Sequence, residues 1–115
     1  MRVLDEALLE TYRAPGKCWL CGKWFPRLEA HHSFVMRGMA GGCRVDLPEN
    51  LSSLCASLKG CHQLVTVNKA AREMVRCVVA ERCGATVEQV YDWLFLVLRT
   101  PREKPIPERP WRKHD

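Results

Sequence analysis

No apolar run in this 115-residue sequence is long enough to cross a bilayer. The longest, Trp93 to Leu98, falls far short of the roughly 20 residues a membrane helix needs. No secretory leader is expected either, since the sequence opens MRVLDEALLE, with acids where an apolar run would stand. No internal repeat is present, and negative charge is the minority sign, with 13 Asp and Glu against 18 Lys and Arg. These absences exclude a membrane-spanning helix and leave one small domain in a reducing, cytoplasmic compartment as the expectation. A domain this short buries only a modest core, so any added staple matters. The sequence offers one in its seven cysteines, which in a compartment that keeps thiols reduced point to metal before disulfides.

The formal net charge is +5 and the isoelectric point about 9.0, a balance that favours polyanionic partners. Four cysteine thiolates around one zinc ion would lower that charge to about +3. A second divalent cation held by neutral histidines would restore about +5. The electrostatic case for a nucleic-acid partner therefore depends partly on metals.

Residues 2–13 predict a helix with Leu4, Leu8 and Tyr12 on one face, ended by Pro15-Gly16. Residues 17–36 read as compact and strand-like, and a glycine-rich loop follows from Gly38 to Gly42. From His62 to Cys83 the pattern is helical, with a stripe of Leu64, Val67, Ala71, Met74 or Val75, and Val78. Gly84 suits a helix C-cap, and Thr86 with Gln89 suits a capping box for the next helix, Val87 to Arg99. That last helix is apolar on more than one side, so it is expected in the core or against a partner. Residues 100–115 form a basic, proline-rich tail, expected to be extended or disordered.

Cys18-x-x-Cys21 forms a close pair and Cys55 with Cys61 a wider one. Two cysteines two residues apart on a tight turn aim both sulfurs at one tetrahedral centre, and a distant pair closes it. Structural zinc on Cys18, Cys21, Cys55 and Cys61 is the preferred reading. A redox dithiol, plain apolar packing, and pairing of Cys55 with Cys43 are the alternatives. The wide gap requires residues 56–60 to bulge, with Gly60 allowing the turn that returns Cys61. Cys77 and Cys83 read as small buried thiols.

His31 and His32 are adjacent, and His62 directly follows Cys61. In an extended segment neighbouring side chains point to opposite faces, whereas a kinked segment lets both flank one site.

The order Cys18-x-x-Cys21, Glu29-Ala-His31-His32, Asn50, Cys55, Cys61-His62 resembles the HNH, or ββα-metal (His-Me finger), endonucleases in their zinc-stabilised form. This group includes small phage endonucleases and endonuclease VII. The stretch DLPENLSSLCASLKGCHQLV resembles the family's N-L-x-x-L-C-x-x-C-H segment, and the resemblance covers residues 17–66. It implies an α+β fold. A ββα-metal core with a zinc knuckle would be flanked by the N-terminal helix (2–13) and C-terminal helices (62–83 and 87–99), in one domain spanning 1–99. It further implies that His32 is the general base, that His31 and His62 bind a catalytic divalent metal, and that Asn50 holds the histidine-bearing loop and orients His32. A phage- or bacterium-encoded cytoplasmic protein is implied too, with 5′-phosphate and 3′-hydroxyl products.

The residue types suit that chemistry. Imidazole is neutral near pH 7 and can take a proton from water, and two protein ligands leave a metal open to phosphate oxygens. Some relatives have Asp and Asn at the two metal positions. With histidine at both here, zinc, nickel, manganese or cobalt should serve at least as well as magnesium.

Lys17, Lys23, Arg27, Arg37 and Arg44 flank the expected site and are candidates for phosphate contacts, with Lys59, Lys69, Arg72 and Arg76 behind them. Singly, each is better explained as a solvated surface charge, and only their clustering around the site points to phosphate. Arg99, Arg102, Lys104, Arg109, Arg112 and Lys113 make the tail basic, and Trp111 could stack on a base or dock on the protein. No segment reads as a recognition helix, so weak sequence preference is expected. Three functions follow: a metal-dependent DNA endonuclease, a catalytically silent zinc-stabilised DNA-binding module, or a subunit whose last helix docks on a second copy or a larger DNA-processing complex.

Overall fold

Asp5 begins the first regular element by accepting the N–H of Leu8 at 3.0 Å, which caps helix α1 (Glu6–Arg13). A computed structural model describes residues 1–36, 44–56 and 60–112. Among these the chain is mixed α+β, with four α-helices and two small antiparallel sheets. Arg37, the 38–42 loop, Cys43, Lys59 and Lys113 lie outside the described residues.

The first helix is shorter than its pattern predicts. Val3 is extended and bridges Val45 in parallel, its N–H donating to the Arg44 carbonyl at 2.9 Å. The later start rotates the buried face: Leu9 is buried, Leu8 and Tyr12 are half-buried, and Leu4 is exposed.

Strands β1 (Gly16–Lys17) and β2 (Trp24–Phe25) form one hairpin. Strands β3 (Glu29–His32) and β4 (Leu51–Leu54) form the other sheet, with His31 opposite Ser52 and His32 opposite Leu51. A 3₁₀ turn, Pro48–Asn50, leads into β4, whose four residues are all buried.

The helix expected from 62 to 83 is two helices, α2 (Cys61–Val67) and α3 (Lys69–Cys83). Asn68 has extended backbone (φ −122°, ψ 114°), and its side chain accepts the Ala71 N–H at 2.9 Å. A local side-chain bond thus replaces the helical ladder at this point. The break also divides the predicted stripe. Val65, Ala71, Val75 and Val79 are buried, while Leu64, Val67 and Met74 are exposed.

Gly84 adopts the left-handed conformation (φ 75°) at the end of α3, where a side chain would be strained. Thr86 and Gln89 exchange both capping-box bonds, opening α4 (Val87–Arg99). In α4, Val90, Trp93, Leu94 and Val97 enter the core, while Phe95 and Leu96 stay exposed. The core joins Phe34, Val45, Leu51 and Leu54 to Val65, Val75, Val79, Val90 and Leu94. No described helix is long and apolar enough to cross a membrane.

The tail departs from expectation most. Pro107 accepts the indole N–H of Trp93 at 3.2 Å, and Trp111 sets its ring edge-on against Trp93, 5.6 Å between centroids. The Arg109 guanidinium lies 4.6 Å from the Trp93 centroid and bonds both carboxylate oxygens of Glu49, at 2.6 and 3.0 Å. A buried carboxylate requires a paired cation, and the tail supplies it. Residues 107–111 are therefore docked on the fold.

Candidate metal centre and histidine pocket

The two short strands β1 and β2 exist because the chain turns back between them. Gly22 sits at φ 75°, its N–H donates to the Cys18 carbonyl at 2.9 Å, and the Cys18 N–H donates to the Lys23 carbonyl at 2.9 Å. This knuckle presents Cys18 and Cys21 on one side. The Trp19 N–H donates to the Ser53 carbonyl at 2.9 Å, tying the knuckle to β4, which ends beside Cys55. Cys61 opens α2, with its N–H on the Cys55 sulfur at 3.2 Å and the His62 N–H on the Cys55 carbonyl at 3.0 Å. These bonds return the chain across the wide spacing. Gly60 has φ −77°, ψ 178°, a conformation open to any residue, so the freedom expected of it is not used. The glycine that the knuckle needs is Gly22.

The sulfurs of Cys18, Cys21, Cys55 and Cys61 all lie within 4.8 Å of one another, three of them on buried residues. Tetrahedral zinc with bonds of about 2.3 Å would space sulfurs by roughly 3.8 Å. Burial opposes ionisation of Cys18, yet the N–H groups of Cys21, Cys55 and Leu20 outweigh it and bring the thiol down to about 7. Burial and the crowding of neighbouring sulfurs push the Cys55 and Cys61 thiols up. Four sulfurs spaced for one cation, one thiol already lowered and two held up by burial until a cation offsets it, fit a structural metal such as zinc.

His31, His32 and His62 border one open pocket of about 440 Å³, together with Glu29, Arg13 and Arg44. His31 points inward from β3 and meets His62 edge-on, ring centroids 5.4 Å apart. Burial lowers the His31 pKa to about 4, helped by the positive potential of His62, His32 and Arg76, so the ring is neutral near pH 7, as a metal ligand must be. His62 Nδ1 lies 2.9 Å from Glu29 Oε2.

His32 also lines this pocket, and its Nε2 lies 2.8 Å from Asp46 Oδ1. Asp46 is fully buried and also accepts Arg44 Nε, at 3.0 and 2.8 Å on its two oxygens, and the Asp5 N–H at 2.8 Å. Burial opposes the charge, but the Arg44 and His32 donors and the Asp5 N–H hold this carboxyl below the usual range. The partner that orients His32 is thus Asp46, in place of the Asn50 amide.

Asn50 is fully buried and makes four bonds. Its Oδ1 accepts the Phe34 and Val35 N–H groups at 2.8 Å each, and its Nδ2 donates to the Val35 and Val45 carbonyls at 3.1 and 3.0 Å. Its amide clamps the segment after the histidines to the segment before the turn.

Sequence reading passed over Asp46 and saw Glu29 only as part of a motif. The available signal was an acid placed just ahead of an ordered Pro-Glu-Asn turn, and no local rule assigns such an acid a partner. Of the cations proposed for phosphate, Lys17, Lys23 and Arg27 are exposed but do not line the pocket. Arg44 lines it but is held by Asp46 and, at 2.7 Å, by Glu6. Arg72 donates to the Val65 and Thr66 carbonyls, and Arg76 donates to the Ser33 carbonyl with its guanidinium over Tyr91.

The sequence matches no protein-family model, and no curated protein or solved structure matches it at a significant level.

Proposed function

We propose that the chain is a metal-dependent DNA endonuclease of the HNH, or ββα-metal, type. The observation that carries this reading is the convergence of His31, His32 and His62 on one pocket beside a four-cysteine cluster. The antiparallel pair β3–β4 followed by α2, which carries His62 one residue after Cys61, supports the ββα-metal plan.

In this reading His31 and His62 hold the divalent ion. When bound, it supplies positive charge to the phosphate and the leaving oxygen. The protein's own groups do the rest. Asp46 is an acceptor, so it selects the His32 tautomer with hydrogen on Nε2 and leaves Nδ1 with the lone pair. Nδ1 takes the proton of the attacking water as its oxygen bonds to phosphorus and the 3′-oxygen leaves. Glu29 does the same for His62: bonding at Nδ1 frees Nε2 for the metal. Asn50 keeps the geometry by clamping the backbone just after the histidine strand to Val45, ahead of the turn.

Cleavage of supercoiled and branched DNA across a panel of magnesium, manganese, cobalt, nickel and zinc tests the reading. Manganese, cobalt or nickel should support at least the rate seen with magnesium. His32→Ala should lower the rate by about 10²–10⁴-fold. Its melting temperature should move by only a few degrees, because Asp46 keeps its Arg44 and Asp5 donors. Absence of metal-dependent cleavage in the parent, or a His32→Ala variant as active as the parent, defeats the proposal.

Asp46→Asn makes a second case. An amide that donates to Nε2 would favour the opposite tautomer, so kcat should fall by at least about tenfold with little change in KM. An unchanged kcat would show that Asp46 acts on the fold alone.

A further inference from the structure

Three of the four tryptophans are used by the fold. Trp19 stacks under the Arg82 guanidinium at 3.8 Å and packs on Tyr12, and Trp93 and Trp111 pack on each other. Trp24 is different. It is 63% exposed, and its indole has no ring or hydrogen-bonding partner among the described residues.

The arginines divide in the same manner. Arg13, Arg44 and Arg109 are paired with carboxylates, and Arg76 and Arg82 lie over aromatic rings. Lys17, Lys23 and Arg27 are exposed, and among the described residues their side chains have no ion-pair partner. They lie close to Trp24 along the chain and across the hairpin. Lys17 is its cross-strand partner in the β1–β2 hairpin, Lys23 precedes it, and Arg27 follows three residues on. Glu29, the acid next along the chain, is engaged by His62.

An exposed indole amid unpaired cations matches a strand of nucleic acid whose bases are unstacked: cations take the phosphates and the ring takes a base. A fully paired duplex keeps its bases stacked and offers the indole nothing. We infer that the β1–β2 hairpin is the DNA-binding surface and that Trp24 stacks on an unpaired base, so the substrate class is single-stranded or branched DNA. Trp24 stands seven residues before His31, at most about 25 Å along the chain, so one strand can reach both the hairpin and the pocket. The inference rests on the reading of the chain as a DNA-acting protein and gives that reading its substrate.

The test is fluorescence anisotropy with a labelled single-stranded oligonucleotide, its full duplex, and the duplex carrying a single-stranded flap. The zinc-loaded His32→Ala chain is used so that nothing is cut. Single-stranded and flapped DNA should bind more tightly than duplex. Trp24→Ala should weaken both by roughly tenfold or more and leave duplex binding nearly unchanged, while Trp24→Phe should retain most of the affinity. Lys17→Ala and Lys23→Ala should each reduce the slope of log affinity against log salt by roughly one-half to one.

Equal affinity of Trp24→Ala and its parent for single-stranded DNA overturns the inference and marks the surface as charge alone. Preference for full duplex overturns it too. Binding that depends on Trp24 in a chain with no cleavage under any metal would sink the nuclease reading and keep this one. Cleavage with binding indifferent to Trp24 would do the reverse.

Discussion

Cys18→Ser is expected to abolish metal binding at the four-cysteine cluster and, with it, the cooperative thermal transition. Cys18 is buried, and its sulfur lies within 4.8 Å of those of Cys21, Cys55 and Cys61. The four belong to three separate pieces of chain: the β1–β2 knuckle, the residue after β4, and the first residue of α2. A metal there ties the knuckle and α2 to the end of β4. Structural zinc contributes about 10–16 kcal/mol of apparent binding free energy, comparable to or larger than the roughly 5–15 kcal/mol by which a whole domain is stable. Serine offers no thiolate, and burial pushes the Cys55 and Cys61 thiols up, so they resist ionising without the ion. Elemental analysis should report the lost zinc, and circular dichroism should show a broad melt or none. A strong chelator should reproduce the effect in the parent. Cys77→Ser, at an exposed thiol outside the cluster, should melt like the parent. A Cys18→Ser chain with normal zinc content and a melting temperature within a few degrees of the parent would refute the metal centre.

The second large effect falls at the other end of the chain. Arg109→Ala should lower stability by about 3–5 kcal/mol, because it strands the carboxylate of Glu49 in the interior. Glu49 is only 2% exposed, and Arg109 bonds both of its oxygens. The variant also uncovers one face of Trp93. For a domain of this size the melting temperature should fall by roughly 10–20 °C. Arg109→Lys should recover part of the loss, since an ammonium cannot form both bonds in parallel. Combining Arg109→Ala with Glu49→Gln should be milder than Arg109→Ala alone, because the damage comes from the unpaired charge. A single Arg109→Ala variant that melts within two or three degrees of the parent would show that Glu49 finds water or another cation. Glu49 immediately precedes Asn50, so the same variant should also loosen the clamp on the histidine strand.

Much of the local architecture was legible because it is written in short-range chemistry. Thr86 with Gln89 and Gly84 marked the ends of two helices, since a cap needs only residues three or four apart. The four clustered cysteines were legible from residue type and from the close spacing of Cys18 and Cys21. The Asn68 break was not legible. An asparagine inside an apolar period can remain helical or cap a new helix, and packing of α3 against the turn at Pro48–Asn50 accompanies the second outcome. The tail was legible only in part: docking of Trp111 on the protein was one of its two readings, but the composition is that of a solvated segment, and nothing nearby in sequence announces that Glu49 needs Arg109.

The pocket divides along the same line. The identity of His31, His32, His62 and Asn50 as polar groups worth placing came from their order along the chain. Their partners, Asp46 for His32 and Glu29 for His62, came only with the coordinates. So did the finding that the pocket's own arginines, Arg13 and Arg44, are already paired with carboxylates, while Lys17 and Lys23 on the hairpin have no ion-pair partner among the described residues. Turns, caps and cysteine spacing depend on neighbours a few residues apart, so the amino-acid order alone determines them. Which buried charge meets which cation, and which face of a helix turns inward, depends on residues up to 60 positions apart, as with Glu49 and Arg109. Desolvation makes each buried charge demand a partner, and only the folded chain decides which one is within reach.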